Sequence, residues 1–420
     1  MNRVFRRNAI LALSIGIGLG ACSAALTAGS ERKADSQAEQ SAVQTEQKAE
    51  QPKPQPKPEP RPGVGPECDS DHCVSVAVAG DLLFHEGLWS AFATDGTDGK
   101  YFDLFPLLEG TKAYYDRADL AICDFETPLA NPGGPYAAYP IFYIPPEVAD
   151  AAAQVGYDAC TTATNHSIDA GTAGLNWTLD KLDSLGIAHT GTYRSEEESK
   201  DVLIVEKNGV KIGIIQAVYA LNGLIPEYEW QVDSPIDLDK MIAKAKQARE
   251  EGAEIVLAAV HNGNEYWNEP SEEQVMQAHT LVDSGEFDFV YMHHAHAIQP
   301  IEKYNGVWIS YGLGNSISET SPWYEANNQF LLLRAQFSKH DKWELTDLAW
   351  APGVNRQAGV PTYKWCSVAS DHPQGVCRSE AEDAAVNANV RSIVEAMGAA
   401  EDGLHEWLVT EDPEMAPAGQ

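Results

Sequence analysis

The chain has 420 residues, 44% of them hydrophobic, enough for a sizeable core in one large domain with extensions or in two domains. Its formal charge is −33 at pH 7, a surface that repels nucleic acid and anionic lipid and attracts divalent cations. No basic patch or RNA-type aromatic motif offsets that charge, so no nucleic-acid partner is expected.

The N-terminus reads as a processing signal. Arg3, Arg6 and Arg7 precede an apolar stretch, Ala9 to Leu19, which is too short to span a bilayer and right for a signal peptide. It ends in Leu19-Gly20-Ala21-Cys22, which resembles the bacterial lipobox. That resemblance implies cleavage before Cys22, lipidation of its thiol, and an extracytoplasmic chain anchored to the membrane through lipid. The alternative is an ordinary secretory signal. Residues 22–66 read as a tether. They are rich in Ala, Gln, Glu and Lys and then run Gln51-Pro52-Lys53-Pro54-Gln55-Pro56-Lys57-Pro58-Glu59-Pro60, so they cannot bury apolar surface. A proline-rich docking ligand is the alternative, and nothing favours it.

Folded structure is expected from near Cys73, with a main domain over 67–350 and a C-terminal extension over 351–420. Val74 to Ala79 is a short strand ending in Gly80-Asp81. A helical stretch follows around Tyr101 to Arg117. Leu120 to Cys123 is a strand ending in Asp124-Phe125-Glu126. Pro145 to Val155 reads as a helix with prolines at its start. Ala159 to Thr162 is a strand, followed by Asn165-His166. Thr172 to Leu185 is an amphipathic helix stopped by Gly186. Val202 to Glu206 and Lys211 to Gln216 form a hairpin at Asn208-Gly209. A helix covers Asp237 to Glu251, and Ile255 to Val260 is a buried strand ending at His261. Glu272 to Asp283 is helical. Phe287 to Tyr291 is the next strand, a second hairpin sits at Asn305-Gly306, and Phe330 to Phe337 and Trp343 to Leu348 are late strands. Ala381 to Met397 is an acidic helix. Strands alternating with helices predict an α/β fold, and the hairpins make its sheets mixed.

Six cysteines follow Cys22. Cys68 with Cys73 and Cys366 with Cys377 are the expected disulfides, each pair being close in sequence. Cys123 and Cys160 fall in apolar runs and read as small buried residues, inert rather than bonded.

Polar side chains recur directly after buried strands: Asp81, Glu126, Asn165 with His166, His261, and His294 with His296. In open α/β sheets ligands collect outside the carboxyl ends of strands. If the strand before Met292-His293-His294-Ala295-His296 continues, His294 and His296 share a face and their imidazoles converge. Two carboxylates, an amide oxygen and several imidazoles make a mixed O/N donor set, suited to one or two divalent ions of Mn, Fe or Zn. Two ions about 3.5–4 Å apart could share a carboxylate and clamp a phosphate-like oxyanion. A solvated His-rich turn is the plain alternative.

The motif order resembles the CapA family of poly-γ-glutamate capsule synthesis proteins, related to the calcineurin-like metallophosphoesterases. Gly80-Asp81 is similar to the family's first motif, and Asp124-Phe125-Glu126 to its Asn-Leu-Glu. Thr164-Asn165-His166-Ser167-Ile168-Asp169-Ala170-Gly171 is similar to its Asn-Asn-His-x-x-Asp-x-Gly, and His261-Asn262-Gly263-Asn264-Glu265-Tyr266 to His-Trp-Gly-x-Glu-Tyr. Met292-His293-His294-Ala295-His296 resembles Gly-His-His-Pro-His, and Tyr311-Gly312-Leu313-Gly314-Asn315 resembles Tyr-Ser-Leu-Gly-Asn. The resemblance covers roughly Val74 to Ser318. It implies an αββα sandwich with Asp81, Glu126, Asn165, His261, His294 and His296 as metal ligands, Glu126 bridging if two ions bind. His166 would donate a proton to a leaving group. Asp169, as helix cap or neighbour of His166, and His293, Glu265 and Asn315 would support the site or meet substrate. His293 on the far side of its strand and Glu265 as a packing residue are the plain readings. Where phosphoesterases carry Asp-x-His this chain has Leu83, and His85, two residues on, is either its substitute or a surface histidine.

Three functions follow from that resemblance. One is a surface lipoprotein in the synthesis, export or anchoring of an anionic capsule polymer, poly-γ-glutamate, with a membrane capsule-synthesis complex as partner. Another is a metal-dependent phosphoesterase or hydrolase at the cell surface. The third is a non-catalytic binding or scaffold protein on a degenerate site.

Overall fold

The computed structural model describes residues 68, 70, 72–319, 328–355 and 363–410. The signal sequence, Cys22 and the tether lie outside the described residues. Among the described residues no helix is long and apolar enough to cross a membrane.

The described residues form fifteen strands and eight α-helices, in chain order β1 (Cys73–Leu82), α1 (Glu86–Ser90), α2 (Phe105–Leu108), α3 (Lys112–Tyr115), β2 (Leu120–Phe125), α4 (Glu147–Val155), β3 (Ala159–Thr161), α5 (Gly171–Leu185), β4 (Ala188–Thr190), β5 (Leu203–Lys207), β6 (Val210–Val218), α6 (Leu238–Glu250), β7 (Ile255–His261), α7 (Glu272–Asp283), β8 (Phe289–His293), β9 (Ile301–Tyr304), β10 (Val307–Ser310), β11 (Asn315–Ile317), β12 (Gln329–Lys339), β13 (Trp343–Asn355), β14 (Trp365–Ser367), α8 (Glu380–Val394) and β15 (His405–Glu406). They build two mixed sheets. The first runs β14-β13-β12-β1-β2-β3-β4, with β11 beside β1 and β15 beside β13; the second runs β5-β6-β7-β8-β10-β9.

Strand alternation explains how the sheets stack. Val74, Val76 and Val78 of β1 face Ile212 of β6, Leu257 of β7 and Phe289 of β8 in the core between the sheets. Their neighbours Ala77 and Ala79 point the other way, into a cluster with Leu107 and Val148 from α2 and α4. On the far side, Val256 and Val260 of β7 and Val290 of β8 pack against Met241 of α6 and Leu281 of α7. Helices therefore cover both outer faces, giving the expected αββα sandwich. Apolar residues on both faces are what made β7 and β8 read as continuous runs.

The two predicted hairpins form. Asn208 (φ 52) and Gly209 (φ 76), like Asn305 (φ 49) and Gly306 (φ 87), supply the paired left-handed residues that a tight two-residue turn needs. The stretch from Tyr101 to Arg117 is not one helix. It breaks into α2 and α3 around a 3₁₀ turn at Glu109–Thr111, where Gly110 lies so close to Trp365 that a Cβ would sit 2.6 Å from its carbonyl oxygen. The expected boundary at residue 350 falls inside β13, and β14, β15 and α8 add to the first sheet and its core.

The disulfides Cys68–Cys73 and Cys366–Cys377 are present. A third joins Cys123 to Cys160, which corrects the reading of these two as inert thiols. Their strands are parallel neighbours in register, so the two residues sit directly opposite one another, with Cα atoms 4.5 Å apart.

Candidate metal centre

The carboxyl ends of β1, β2, β3, β7 and β8 converge, and each delivers a polar side chain. Asp81 is the penultimate residue of β1 and pairs with Asn315 of β11. Gly80 makes that pairing possible, because a Cβ there would lie 2.0 Å from the Gly314 carbonyl oxygen. Asp124 lies in β2, one residue past the disulfide, and Glu126 follows it. The loop after β3 carries Asn165 and His166, and Thr164 fixes it by donating from Oγ1 to the Glu126 carbonyl at 2.7 Å. His261 is the last residue of β7 and His293 the last of β8.

His294 and His296 do converge, but not by strand alternation. The strand stops at His293, and both residues take left-handed backbone, with φ 78 and φ 49. The chain turns over Asp81, whose Oδ2 accepts from the His294 backbone N–H at 3.3 Å and from His296 Nδ1 at 3.0 Å. His293 Nδ1 donates to Asp81 Oδ1 at 2.7 Å, so His293 turns toward the site and not away from it. His296 Nδ1 also lies 2.8 Å from Asn315 Oδ1. Three donor groups result, each with ligand atoms within 4.8 Å of one another: Asp81, Asp124 and His293; Asp81, Glu126 and His296; and Glu265, His294 and His296. Asn165 and His261 are linked to them. His261 Nε2 donates to Asn165 Oδ1 at 2.9 Å, and its Nδ1 lies 3.2 Å from Asp124 Oδ2.

Two residues of this centre were not singled out from sequence. Asp124 closes one donor group, and the only sequence signal was its two-residue offset from Glu126. Gln216 of β6 has no sequence signal. Its Oε1 accepts from the backbone of Thr162 and Ala163 at 2.8 and 2.7 Å, and its Nε2 donates to Asp124 Oδ1 at 3.2 Å. It thereby ties the second sheet to the loop of the first that carries Asn165 and His166.

Electrostatics point to a cation. Asp81, Asp124 and Glu126 are all buried beside one another. Burial pushes the Glu126 carboxyl well above its usual range, and the Asp81, Asp124 and Glu265 carboxylates add to this against the pull of His296. Neither Glu126 oxygen has a hydrogen-bond partner. Burial would also raise Asp81, but hydrogen bonds from His293 and His296 outweigh it and hold this carboxyl well below its usual range. Buried carboxylates without donors are costly, and a divalent ion satisfies both charge and lone pairs. The acid and imidazole donors present fit such an ion.

His166 stands on the wall of the mouth, a cavity of about 470 Å³. Its Nδ1 lies 2.7 Å from Asp169 Oδ2, which also accepts the Phe142 N–H at 2.8 Å. Leu83 is buried in the core, whereas His85 lines the same mouth, edge-on to Phe142 with ring centroids 5.3 Å apart. Burial lowers the His85 pKa to about 4, and His85 belongs to none of the three donor groups.

A four-layer α/β protein with a buried acid–histidine centre at its strand ends is thus defined. The bacterial capsule synthesis protein family, PGA_cap, matches residues 75–320, and the chain belongs to that family. It is 29% identical over 175 residues to the capsule biosynthesis protein CapA of Bacillus anthracis, covering 41% of this chain and 42% of that one. It is 25% identical over 252 residues to the PGA biosynthesis protein CapA of Bacillus subtilis, covering 59% and 64%. The chain therefore matches between two fifths and two thirds of these relatives' lengths. Among solved structures it is similar to the calcineurin-like phosphoesterase YfkN of Bacillus subtilis, with TM-score 0.42, 17% identity, and 67% and 91% of the two chains covered.

Proposed function

We propose that this chain is a surface-anchored accessory protein acting in the synthesis, export or anchoring of an anionic capsule polymer, poly-γ-glutamate, and that its strand-end centre holds one or two ions of Mn, Fe or Zn. The observation that carries the metal is the Glu126 carboxylate, buried among Asp81, Asp124 and His296 with neither oxygen hydrogen-bonded and only the His296 imidazole, 3.7 Å away, to offset its charge. Asp81, Glu126 and His296 would hold one ion, and Asp124 and His293, with Asp81 shared, a second. A bound ion supplies positive charge for an oxyanion, which also answers how an acidic protein meets a polyanion. Anchoring rests on Leu19-Gly20-Ala21-Cys22 and would place the chain beside a capsule-synthesis complex in the membrane.

Plasma mass spectrometry of purified protein tests the metal. Near-stoichiometric Mn, Fe or Zn, lost in Glu126→Ala and His296→Ala together with capsule output, is the expected result. Unchanged metal content and capsule output in Glu126→Ala would end the metal's role. Incorporation of labelled fatty acid, abolished in Cys22→Ala, tests the anchor.

A second reading, a metal-dependent phosphoesterase, is favoured by the His166–Asp169 pair at the mouth. The Asp169 carboxylate holds Nδ1 and orients the ring, leaving Nε2 to pass a proton to a leaving group. It predicts phosphoester turnover that is lost in His166→Ala, with metal content retained.

A further inference from the structure

We propose that the mouth of the metal centre and the larger cavity beside it form one elongated groove that binds an uncharged glycan chain. The larger cavity is about 850 Å³ and is lined by β6, the loop after it, and α6. One loop divides it from the mouth. Asn222 faces the mouth, while Leu221 and Gly223 on either side of it line the larger cavity. The division is a tight turn, with Asn222 at φ 51, Gly223 at φ 78 and Leu224 N–H donating to the Leu221 carbonyl at 2.8 Å. Behind the turn, Tyr219 lines the larger cavity, and its ring centroid lies 4.5 Å from that of His294. A single aromatic ring thus separates the larger cavity from the histidines.

The rim of this groove collects several of the large apolar side chains that solvent reaches among the described residues. Tyr139 is 75% exposed at the mouth, with half-exposed Tyr266 lining it too and Trp267 next in sequence at 61%. Beside the larger cavity, Ile225 is 90% exposed, and Tyr228 stacks on Trp230 with centroids 5.1 Å apart. Clustered exposed rings of this kind mark a binding surface. Tyr266 holds φ 70, a left-handed backbone that a bulky residue rarely adopts, and its N–H donates to the Ala295 carbonyl at 2.7 Å. That conformation places the ring at the mouth, stacked near His296 with centroids 6.1 Å apart.

Charge selects the ligand. Among the described residues the mouth is lined by Glu265 and Glu319 and by His85, His166 and His296, with no Lys or Arg. The larger cavity has Lys240 and Lys244, both engaged by Asp233 at 2.7 Å, together with Glu229 and Asp237. Among the described residues, then, no Lys or Arg outside these ion pairs lines either half to hold a polyanion along its length. A pyranose ring fits. Its C–H faces stack on aromatic rings, and its hydroxyls donate to the carboxylate of Glu265 and the amide oxygen of Asn222.

This inference goes beyond the capsule-polymer reading and needs no metal. Isothermal titration of the intact protein, in chelator, with chitohexaose and with cellohexaose tests it. At least one hexasaccharide is expected to bind with a Kd between about 10 μM and 1 mM. Tyr266→Ala and Trp230→Ala should each weaken binding tenfold or more, with an unchanged melting temperature and metal content. Tyr266→Phe should retain binding, and raising salt from about 0.05 to 0.5 M should leave it unaltered. Failure of both sugars to bind, or binding indifferent to Tyr266→Ala and Trp230→Ala, overturns the groove. Poly-γ-glutamate that binds instead, in a manner lost with Tyr266→Ala, also overturns it while leaving the capsule reading standing.

Discussion

Replacing Glu126 by Gln keeps the side chain's shape and removes one buried negative charge. The direction of its effect depends on whether a cation is present. Without one, the wild-type chain must bury Glu126 beside Asp81 and Asp124, and burial with that repulsion already drives the group toward its neutral form. Glu126→Gln should then be neutral in chelator, or stabilising by up to about 2 kcal/mol. With an ion present at a hundredfold its Kd, the wild-type chain gains about 2.7 kcal/mol from binding to the native state alone. For a chain of this size that is a rise in melting temperature of about 3–4 °C. The variant should lose most of that gain. Thermal unfolding by circular dichroism, with each protein in chelator and in excess Mn or Zn, reads all four states. The reasoning is refuted if metal raises both melting temperatures equally, or if the variant in chelator is several kcal/mol less stable than the wild type.

Three further outcomes are expected. In the metal-free centre, burial lowers His296, but the Glu126 and Asp81 carboxyls outweigh it and the group is pushed up to about 10; at least one proton must therefore leave the Glu126–His296 pair on metal binding, and affinity should rise about tenfold or more per pH unit from 6 to 9. Competition with a chromophoric chelator measures this, and a flat profile would exclude His296 as a ligand. Replacing Cys123 and Cys160 together by Ala opens a link across a sequence separation of 37 residues and should cost about 3–4 kcal/mol, read from denaturant midpoints. Gln216→Leu leaves the buried Thr162 and Ala163 N–H groups without their acceptor; it should cost about 2–4 kcal/mol in chemical unfolding and shift metal affinity through Asp124.

Local physics made much of the fold readable. The β7 and β8 runs declare themselves because both faces are buried, and the Asn-Gly turns because their backbone demands left-handed residues. The positions of Asp81, Glu126, Asn165, His261, His294 and His296 were legible as a pattern, polar residues directly after apolar strands. What was not legible depends on which strands become neighbours. Cys123 and Cys160 pair only because β2 and β3 lie side by side in register, and nothing local sets that order. Gln216 belongs to the other sheet and reaches Asp124 only through the stacking of the two layers. His294 and His296 meet through two left-handed residues, a geometry that alternation does not predict.

The family match ends at residue 320, yet the unit that folds does not. Seven residues of β1, from Cys73 to Ala79, are hydrogen-bond partners of β12, and β12 in turn pairs along its whole length with β13. A chain truncated at the end of the match would strip β1 of that neighbour and present the central strand of the first sheet as a long apolar edge, open to self-association. Asp81 sits at the tip of the same strand. Expression boundaries for this protein should therefore extend to residue 410, beyond β15, even when only the strand-end acid and histidine motifs are of interest.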